Sequence, residues 1–354
     1  MSPMPPPPSR FALIDAFKAV ASQLIVLHHL AFYGPMSDIA QQLAPALMNW
    51  LSRDARIAVQ VFLVIGGFLA ARSLAPQGVL QPPRLLPVLR SRYLKLVLPY
   101  AAALLVGIAC AALARAFMVH PATPQPPGLW QVLVHLLLLH DVLDVEALSA
   151  GVWYVAIDFQ LFVLLALLLW LARRWGGGEA ALVSALLLGG LLVAALAALS
   201  LFHFNRYPDW DEWALYFAGA YGLGVLAYWL SDRARWAGWL WLLAAGVLLA
   251  LVLEFRSRIA VALLVALALG WGRRSGALQN WPPGGWWAYF GKISYAVFLL
   301  NFPVALVVNA LFTRFVPAEP WPQMAGVLLA WLLCNVAGAL FYRWVELPAS
   351  RWRV

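Results

Sequence analysis

Charged residues are scarce in this sequence. They make up 11% of its 354 residues, whereas 64% are hydrophobic, and an average soluble domain carries about 25% charged residues. A soluble fold of this length could not bury so much apolar surface in one core. The composition therefore excludes an ordinary soluble protein and predicts a chain that lipid covers.

Cysteine is also rare. The two thiols, Cys110 and Cys334, lie inside apolar runs, which favours packed core thiols over a disulfide or a metal pair. The sequence shows no internal repeat and no hydrophilic stretch that would form a separate soluble domain. We predict a cytoplasmic Pro-rich tail at 1–10, one transmembrane domain at 11–346, and a second cytoplasmic tail at 347–354.

Long apolar runs are abundant. A transmembrane helix needs roughly 20 apolar residues, and we count ten candidate segments. They are 11–32, 56–74, 92–118, 150–172, 180–202, 212–230, 236–254, 257–272, 286–312 and 323–345. A shorter amphipathic segment, 129–140, is predicted to be interfacial or re-entrant. The expected fold class is an all-α integral membrane protein with about ten transmembrane helices.

The basic residues are distributed unevenly among the loops. With Arg10 placed inside, the even-numbered gaps between segments carry most of the arginine and lysine, and the opposite side collects most of the acids. Because this bias marks cytoplasmic loops, we expect both termini in the cytoplasm and a multi-pass protein of the cytoplasmic (inner) membrane. The net charge of +9 reflects this placement, so no nucleic-acid partner is predicted.

One face of the first segment is polar. Lys18 and His29 are eleven residues apart, about three turns, so they share a face at roughly 16 Å separation along the axis. Asp15 and Ser22 fall on the same face. Ionisable groups inside a span are candidates for function, and an imidazole suits a general base. The alternative is a packing seam in which Lys18 reaches the cytoplasmic surface and pairs with Asp15.

This stretch carries a resemblance to a known family. Asp15-Ala-Phe-Lys18, ten residues and then His29 resemble the opening motif of the acyltransferase family 3 membrane proteins, in which arginine is expected at the position of the lysine. Further motifs follow in the family's order over nearly the whole chain. They lie at Val59–Leu69, Arg90–Tyr100, Gly151–Phe162, Gly291–Pro303 and Val345–Pro348. Within them Gly66 replaces a serine, Asp158 a glutamate and Asn301 a frequent histidine.

The resemblance implies an O-acyltransferase that takes an acyl group, commonly acetyl, from cytoplasmic acyl-CoA. The acceptor would be a hydroxyl of an extracytoplasmic polysaccharide or glycolipid, with His29 as the catalytic base. Lys18, Arg90, Arg92 and Lys95 would bind the donor, because CoA is a polyanion. Alternatively, the three basic residues at 90–95 set the topology and bind anionic lipid. Membrane lipid and a separate extracytoplasmic protein are further candidate partners.

Asp158 has two interpretations of equal weight. It could be a catalytic carboxylate that orients an imidazole, or it could pair with a basic side chain of another helix. The remaining candidates are supporting positions near these groups. They are Asp15, Ser22, Gln60, Trp153, Gln160, Asn301 (as a hydrogen-bonding core residue) and Glu346. A spacing of five does not align His135 and His140 on one helix face, so no metal is predicted.

Two other functions remain open. In a transporter or channel, Lys18, His29 and Asp158 would line a path for an ion or solute, although the paired broken helices of many transporters are not evident. In an inactive accessory member of the family, the substitutions at Lys18, Gly66, Asp158 and Asn301 would reflect lost chemistry.

Overall fold

The computed structural model describes residues 11–81, 85–176, 181–282 and 284–351. The predicted tail at 1–10 and residues 352–354 lie outside this described part. Within it the chain is helical and contains no strand, as the composition predicts. The chain is therefore an all-helical protein, and its long apolar helices make it a multi-pass membrane protein.

The helices of the described part are numbered in chain order. The first eight are α1 (Ala12–Phe32), α2 (Pro35–Ala40), α3 (Pro45–Arg53), α4 (Val59–Leu74), α5 (Leu85–Phe117), α6 (Leu129–Leu136), α7 (Val152–Trp175) and α8 (Ala181–Phe202). The others are α9 (Ala214–Leu230), α10 (Gly238–Leu253), α11 (Ser257–Ser275), α12 (Ala277–Asn280), α13 (Gly285–Phe315), α14 (Pro320–Phe341) and α15 (Leu347–Arg351). A π-helical turn, Tyr342–Glu346, joins the last two.

Each of the ten predicted segments coincides with one of these helices. Among the described residues, seven helical stretches are long and apolar enough to cross a membrane, and they begin at Ala12, Ala55, Leu85, Val152, Val183, Gly285 and Pro320. Helices α9 and α10 have 17 and 16 residues, roughly 25 Å each, which is shorter than a hydrocarbon core of about 30 Å. The count of ten spans and the cytoplasmic termini remain predictions.

The segment 129–140 is only partly helical. Helix α6 ends at Leu136, and Leu138 and Asp144 then adopt left-handed backbone conformations with φ of 58° and 51°. Non-glycine residues adopt this conformation only where the surrounding structure holds them. The result is a short helix followed by a compact loop that leads into α7.

Glycines bring α4 and α9 into backbone contact. A Cβ built on Gly67 would lie 1.9 Å from the carbonyl oxygen of Tyr221, and one on Gly224 would lie 2.0 Å from that of Val64. Small residues at such crossings are the usual means of close helix packing in membranes. The contact holds Tyr221 in the centre of the bundle.

A third glycine joins α1 to α13, its most extensive neighbour. A Cβ on Gly291 would lie 2.2 Å from the carbonyl oxygen of Asp15, so no larger residue fits without separating the two helices. The contact fixes the helix that carries Lys18 and His29 against the helix that carries Asn301.

Candidate functional site

A cavity of about 860 Å³ lies at one end of the helix bundle. It is formed by the second half of α1, the beginnings of α4, α7, α9 and α11, and the loop after α6. The helix beginnings and the loop border four gaps between the predicted segments. The charge bias assigns these four gaps to the extracytoplasmic side. The gaps thus converge on one site, and His29 contributes to its wall.

The lining of the cavity combines charged and aromatic side chains. The charged ones are Arg53, Asp54, Arg56, Asp141, Asp211, Glu212, Arg256 and Arg258. The aromatic ones, apart from the histidines, are Phe32, Tyr33, Trp153, Tyr216, Phe217, Phe255 and Phe298. A pocket of this size with convergent polar groups is the usual form of a small-molecule site.

The hydrogen bonds of Asn301 determine the tautomer of His29. The amide nitrogen of Asn301 donates to the carbonyl oxygens of Phe298 at 2.6 Å and Val297 at 3.3 Å. Its side-chain oxygen, which can only accept, therefore faces Nδ1 of His29 at 2.5 Å. Nδ1 must carry the proton of this bond, so Nε2 of the neutral ring is an unprotonated acceptor.

Gly151 leaves room beside it for the imidazole ring of His29. This residue precedes α7 with φ of +82°, a conformation that suits glycine, and a Cβ there would lie 3.5 Å from Cε1 of His29 and 2.9 Å from the Phe298 ring. Nε2 of His29 has no hydrogen-bond partner among the described residues. An acceptor nitrogen at the wall of a polar cavity can take a proton from a bound hydroxyl.

His28 lies beside His29 but is held differently. Its Nδ1 is 2.9 Å from the carbonyl oxygen of Leu51 on α3, and the ring centroids of the two histidines are 5.5 Å apart. The side chain borders the cavity. A hydrogen bond to a backbone carbonyl connects α1 to α3, so His28 contributes to the shape of the cavity wall.

The structure pairs Asp158 with Arg92 rather than with an imidazole. Oδ2 of Asp158 accepts a hydrogen bond from Nη2 of Arg92 at 2.5 Å, with the carboxylate nearly buried. A Cβ on Gly66 would lie 2.9 Å from the other carboxylate oxygen. Asp158 is seven residues beyond Gly151 on α7, roughly 10 Å deeper than the His29 ring. Of its two interpretations, this geometry matches the pairing with another helix.

Lys18 lies near enough to this pair for the charges of both residues to act on it. The charges that act on its ammonium group come, in order of strength, from Asp15, Arg92, Glu346 and Asp158. Four helical segments of the bundle contribute to this cluster, because Glu346 lies in the π-helical turn after α14. These residues are far apart in the sequence but form one charged group in the structure. We call it the ion-pair cluster: Asp15, Lys18, Arg92, Asp158 and Glu346.

The predicted basic set at the start of α5 divides into two. Arg92 turns inward to Asp158, whereas Arg90 and Lys95 are exposed. On a helix these three positions do not share one face. Arg90 and Lys95 are consequently the two that a ligand outside the bundle could reach directly.

The other supporting residues have mainly structural contacts. The Ser22 hydroxyl donates to the carbonyl oxygen of Ala19 in its own helix, and the Gln160 amide donates to that of Leu138 in the loop before α7. Trp153 stacks on Phe217 with centroids 5.4 Å apart. Gln60 is buried and lines the cavity. Trp153 and Gln60 are the two that share a site with His29.

The loop after α6 contributes a histidine pair and an unusual carboxyl group. The rings of His135 and His140 stack 4.2 Å apart, and both are fully buried. Burial lowers the pKa of His140 to about 3. Burial and then the charge of Glu212 raise the pKa of Asp141 to about 7. No three potential metal ligands converge anywhere in the described ranges.

Sequence reasoning missed most of the cavity. Its four arginines and four acids appeared only as evidence of topology, although each lies close to a helix end in one of four successive gaps on the same side. That shared position was the available signal. The pairing of His29 with Asn301 had no signal in the spacing, because 272 residues separate the partners.

The fold and the site define a class: a polytopic helical membrane protein with a buried imidazole at the wall of a polar cavity. A family model described as an acyltransferase domain matches residues 11–342. The chain belongs to acyltransferase family 3, as its motifs predicted, and this membership points to membrane acyltransferase activity. No curated protein and no solved structure matches the chain.

Proposed function

We propose that the protein transfers an acyl group, in the first place acetyl, from cytoplasmic acyl-CoA to a hydroxyl of an extracytoplasmic polysaccharide or glycolipid. The observation that carries the proposal is the state of His29. Its Nδ1 is held by Asn301, which leaves an unprotonated Nε2 at a cavity large enough for a sugar. Membership of the family supplies the reaction class.

In the proposed reaction, Nε2 of His29 accepts the proton of the acceptor hydroxyl as its oxygen attacks the thioester carbonyl carbon. A new ester C–O bond forms, the C–S bond breaks, and the CoA thiolate leaves with a proton returned from the imidazole. The products are the O-acylated acceptor and free CoA. Asn301 stabilises the ring orientation in which Nε2 faces the acceptor.

The donor end of the proposed path is the ion-pair cluster. Arg90 and Lys95 are exposed at the start of α5 and are free to bind the CoA phosphates. Arg92 lies between them in the sequence and pairs with Asp158, and Lys18 is on the same face of α1 as His29. The roughly 16 Å between Lys18 and His29 is a distance that an extended pantetheine arm can cover.

The acceptor end is the cavity. Trp153 and Phe217 form a stacked aromatic surface at its side, and planar apolar surfaces combined with polar groups suit the mixed surface of a sugar ring. His29 lines the same cavity as this surface, and the ion-pair cluster lies deeper in the bundle. This arrangement supports transfer across the membrane rather than on one side of it.

The test is acyl transfer by a His29→Ala variant. Membranes that contain the full chain would receive acetyl-CoA labelled in the acetyl group, and the label in base-labile ester on extracted glycans would be measured. We expect the variant to lose transfer while its level in the membrane is unchanged.

The matched control is His203→Ala, since His203 is exposed and lies outside the cavity. Transfer by the control should equal that of the wild type. Wild-type transfer by His29→Ala would contradict the proposed function.

A further inference from the structure

The cavity contains arginines that form no ion pair with its carboxylates. Arg53, Arg56, Arg256 and Arg258 line it together with four carboxylic acids. Among the described residues, none of these eight side chains forms an arginine–carboxylate pair within the cavity. Opposite charges that could collapse onto one another are instead held apart by the scaffold, which is the arrangement of a site prepared for a charged ligand.

Arg256 is the clearest case. Its side chain is buried, with 7% of the residue exposed. Its two terminal nitrogens donate to the side-chain oxygen of Asn205 and the carbonyl oxygen of Leu201, both at 2.8 Å. Burial lowers the pKa of Arg256, and the charge of Glu254 opposes this shift only in part. The neutral oxygens orient the guanidinium without cancelling its charge. The carboxylate of Glu254 bonds Arg206 at 2.7 Å.

The same asparagine holds a second arginine. Nη2 of Arg258 donates to the carbonyl oxygen of Asn205 at 2.7 Å, and its guanidinium lies 4.9 Å from the centroid of the Tyr216 ring. Arg56 acts on Tyr216 electrostatically together with Arg256 and Arg258. The charges of three arginines thus act on one tyrosine at the cavity wall, and we call these arginines the arginine end.

The acids of the cavity do not offset this end. Only Asp211 acts on Tyr216 alongside the three arginines. Asp141 lies with Glu212, and no arginine is among the charges that act on it. The charges that act on Tyr216 are thus those of three arginines and one acid. Positive charge predominates around this tyrosine.

We propose that the arginine end is a subsite for an oxyanion, a phosphate or carboxylate, carried by the acceptor. The acceptor is then an acidic glycan or a phosphate-containing glycolipid. A guanidinium recognises such groups through two parallel charge-assisted hydrogen bonds. The assignment of this anion to the acyl acceptor rests on the proposed function. The existence of an anion subsite rests only on the residues of the cavity.

The test compares charged and neutral sugars as ligands. The full chain in nanodiscs of zwitterionic phosphatidylcholine would be titrated with glucose 1-phosphate, glucuronic acid and glucose, and binding would be measured by calorimetry. We expect both acids to bind about ten-fold more tightly than glucose. Arg56→Gln and Arg258→Gln should each remove most of this preference.

Two variants guard against loss of the fold. Arg56 is exposed and has no hydrogen bond among the described residues, so its substitution leaves the packing intact. Arg314→Gln, at an exposed position outside the cavity, makes the same change of charge and should keep the full preference. Equal affinities for the three sugars, or a preference that survives both cavity variants, would overturn the subsite.

A second arm identifies the source of the anion. In nanodiscs that contain phosphatidylglycerol, unchanged binding of glucose 1-phosphate supports an acceptor-borne group. Competition by this lipid would overturn that part, since a headgroup would then occupy the subsite. Neither arm uses an acyl donor, so a failed subsite and a failed acyltransferase give different results: the first appears in binding, the second in transfer by His29→Ala.

Discussion

At the ion-pair cluster, Arg92 and Asp158 meet at 2.5 Å. At the arginine end of the cavity, Arg256 and Arg258 are bonded to a neutral asparagine, and no acid of the cavity is paired with them. Both regions bring charges into a largely apolar bundle, where removing them from water is costly. They differ in what compensates that cost.

This difference distinguishes charged residues that connect helices from charged residues that can bind a ligand. A charge whose partner belongs to the protein is already satisfied and mainly connects helices, as Arg92 connects α5 to α7. A charge that the protein only orients retains its capacity to bind something else. By this criterion, the charged residues proposed to bind ligands are the cavity arginines, together with Arg90 and Lys95 at the other end.

The largest effect on stability is expected when one partner of the Arg92–Asp158 ion pair is removed. Arg92→Gln leaves the nearly buried carboxylate of Asp158 uncompensated, which typically costs about 3–5 kcal/mol. Asp158→Asn should cost less, because the Arg92 side chain is partly exposed and solvent screens its charge. Either variant should show reduced membrane levels and a lower melting temperature in detergent.

Removing a charge that has no ion-pair partner should leave stability nearly unchanged. Arg53→Gln, at an exposed position in the cavity, should change the melting temperature little. An Arg92→Gln protein as stable as the wild type would show that the pair is not part of the framework.

The next largest effect is expected on the rate of acyl transfer. Asn301→Leu removes the acceptor that holds the proton on Nδ1 of His29, so the ring is free to take the unproductive tautomer. We expect kcat for acyl transfer to fall about 100-fold with KM for the donor unchanged.

Asn301→Asp keeps an acceptor at this position and should recover part of the rate, which a purely structural role would not predict. The kinetics of both variants would be measured on purified protein. Equal losses for the two substitutions would contradict the positioning role.

The smallest effect concerns stability and pH. The pKa of Asp141 is raised to about 7 by burial and by Glu212, above an ordinary value near 4. A carboxyl with a raised pKa stabilises the fold below its unfolded pKa, and this stability is lost as the pH rises through 7. Asp141→Asn should therefore gain stability relative to the wild type between pH 4 and pH 8, on the order of 2 kcal/mol.

Thermal unfolding across this range checks the sign. Because Nε2 of His140 lies 3.5 Å from Oδ2 of Asp141, the same comparison is made in a His140→Gln background, where this imidazole cannot titrate. A constant difference between wild type and variant at all pH values would contradict the assigned pKa.

The sequence predicted the helices well, because apolar length is a local property. All ten segments are helical over most of their length. The segment 129–140 is helical only as far as Leu136, and its interfacial or re-entrant placement stays a prediction. The face shared by Lys18 and His29 also followed from helix geometry.

The partners of these residues could not be predicted in the same way. They are set by how helices pack, and packing here depends on contacts such as that of Gly291 with the backbone of Asp15. Neither the bond from Asn301 to His29 nor the convergence of four gaps on one cavity is visible along a single segment.

The most direct test of the account supplies donor and acceptor on opposite sides of one membrane. The full chain in sealed vesicles of known orientation would receive labelled acetyl-CoA on the side of Arg90 and Lys95 and the acceptor glycan on the side of the cavity. We predict ester formation in this arrangement and none when the two substrates exchange sides. Equal transfer in both arrangements, or transfer only when both are on one side, would contradict it.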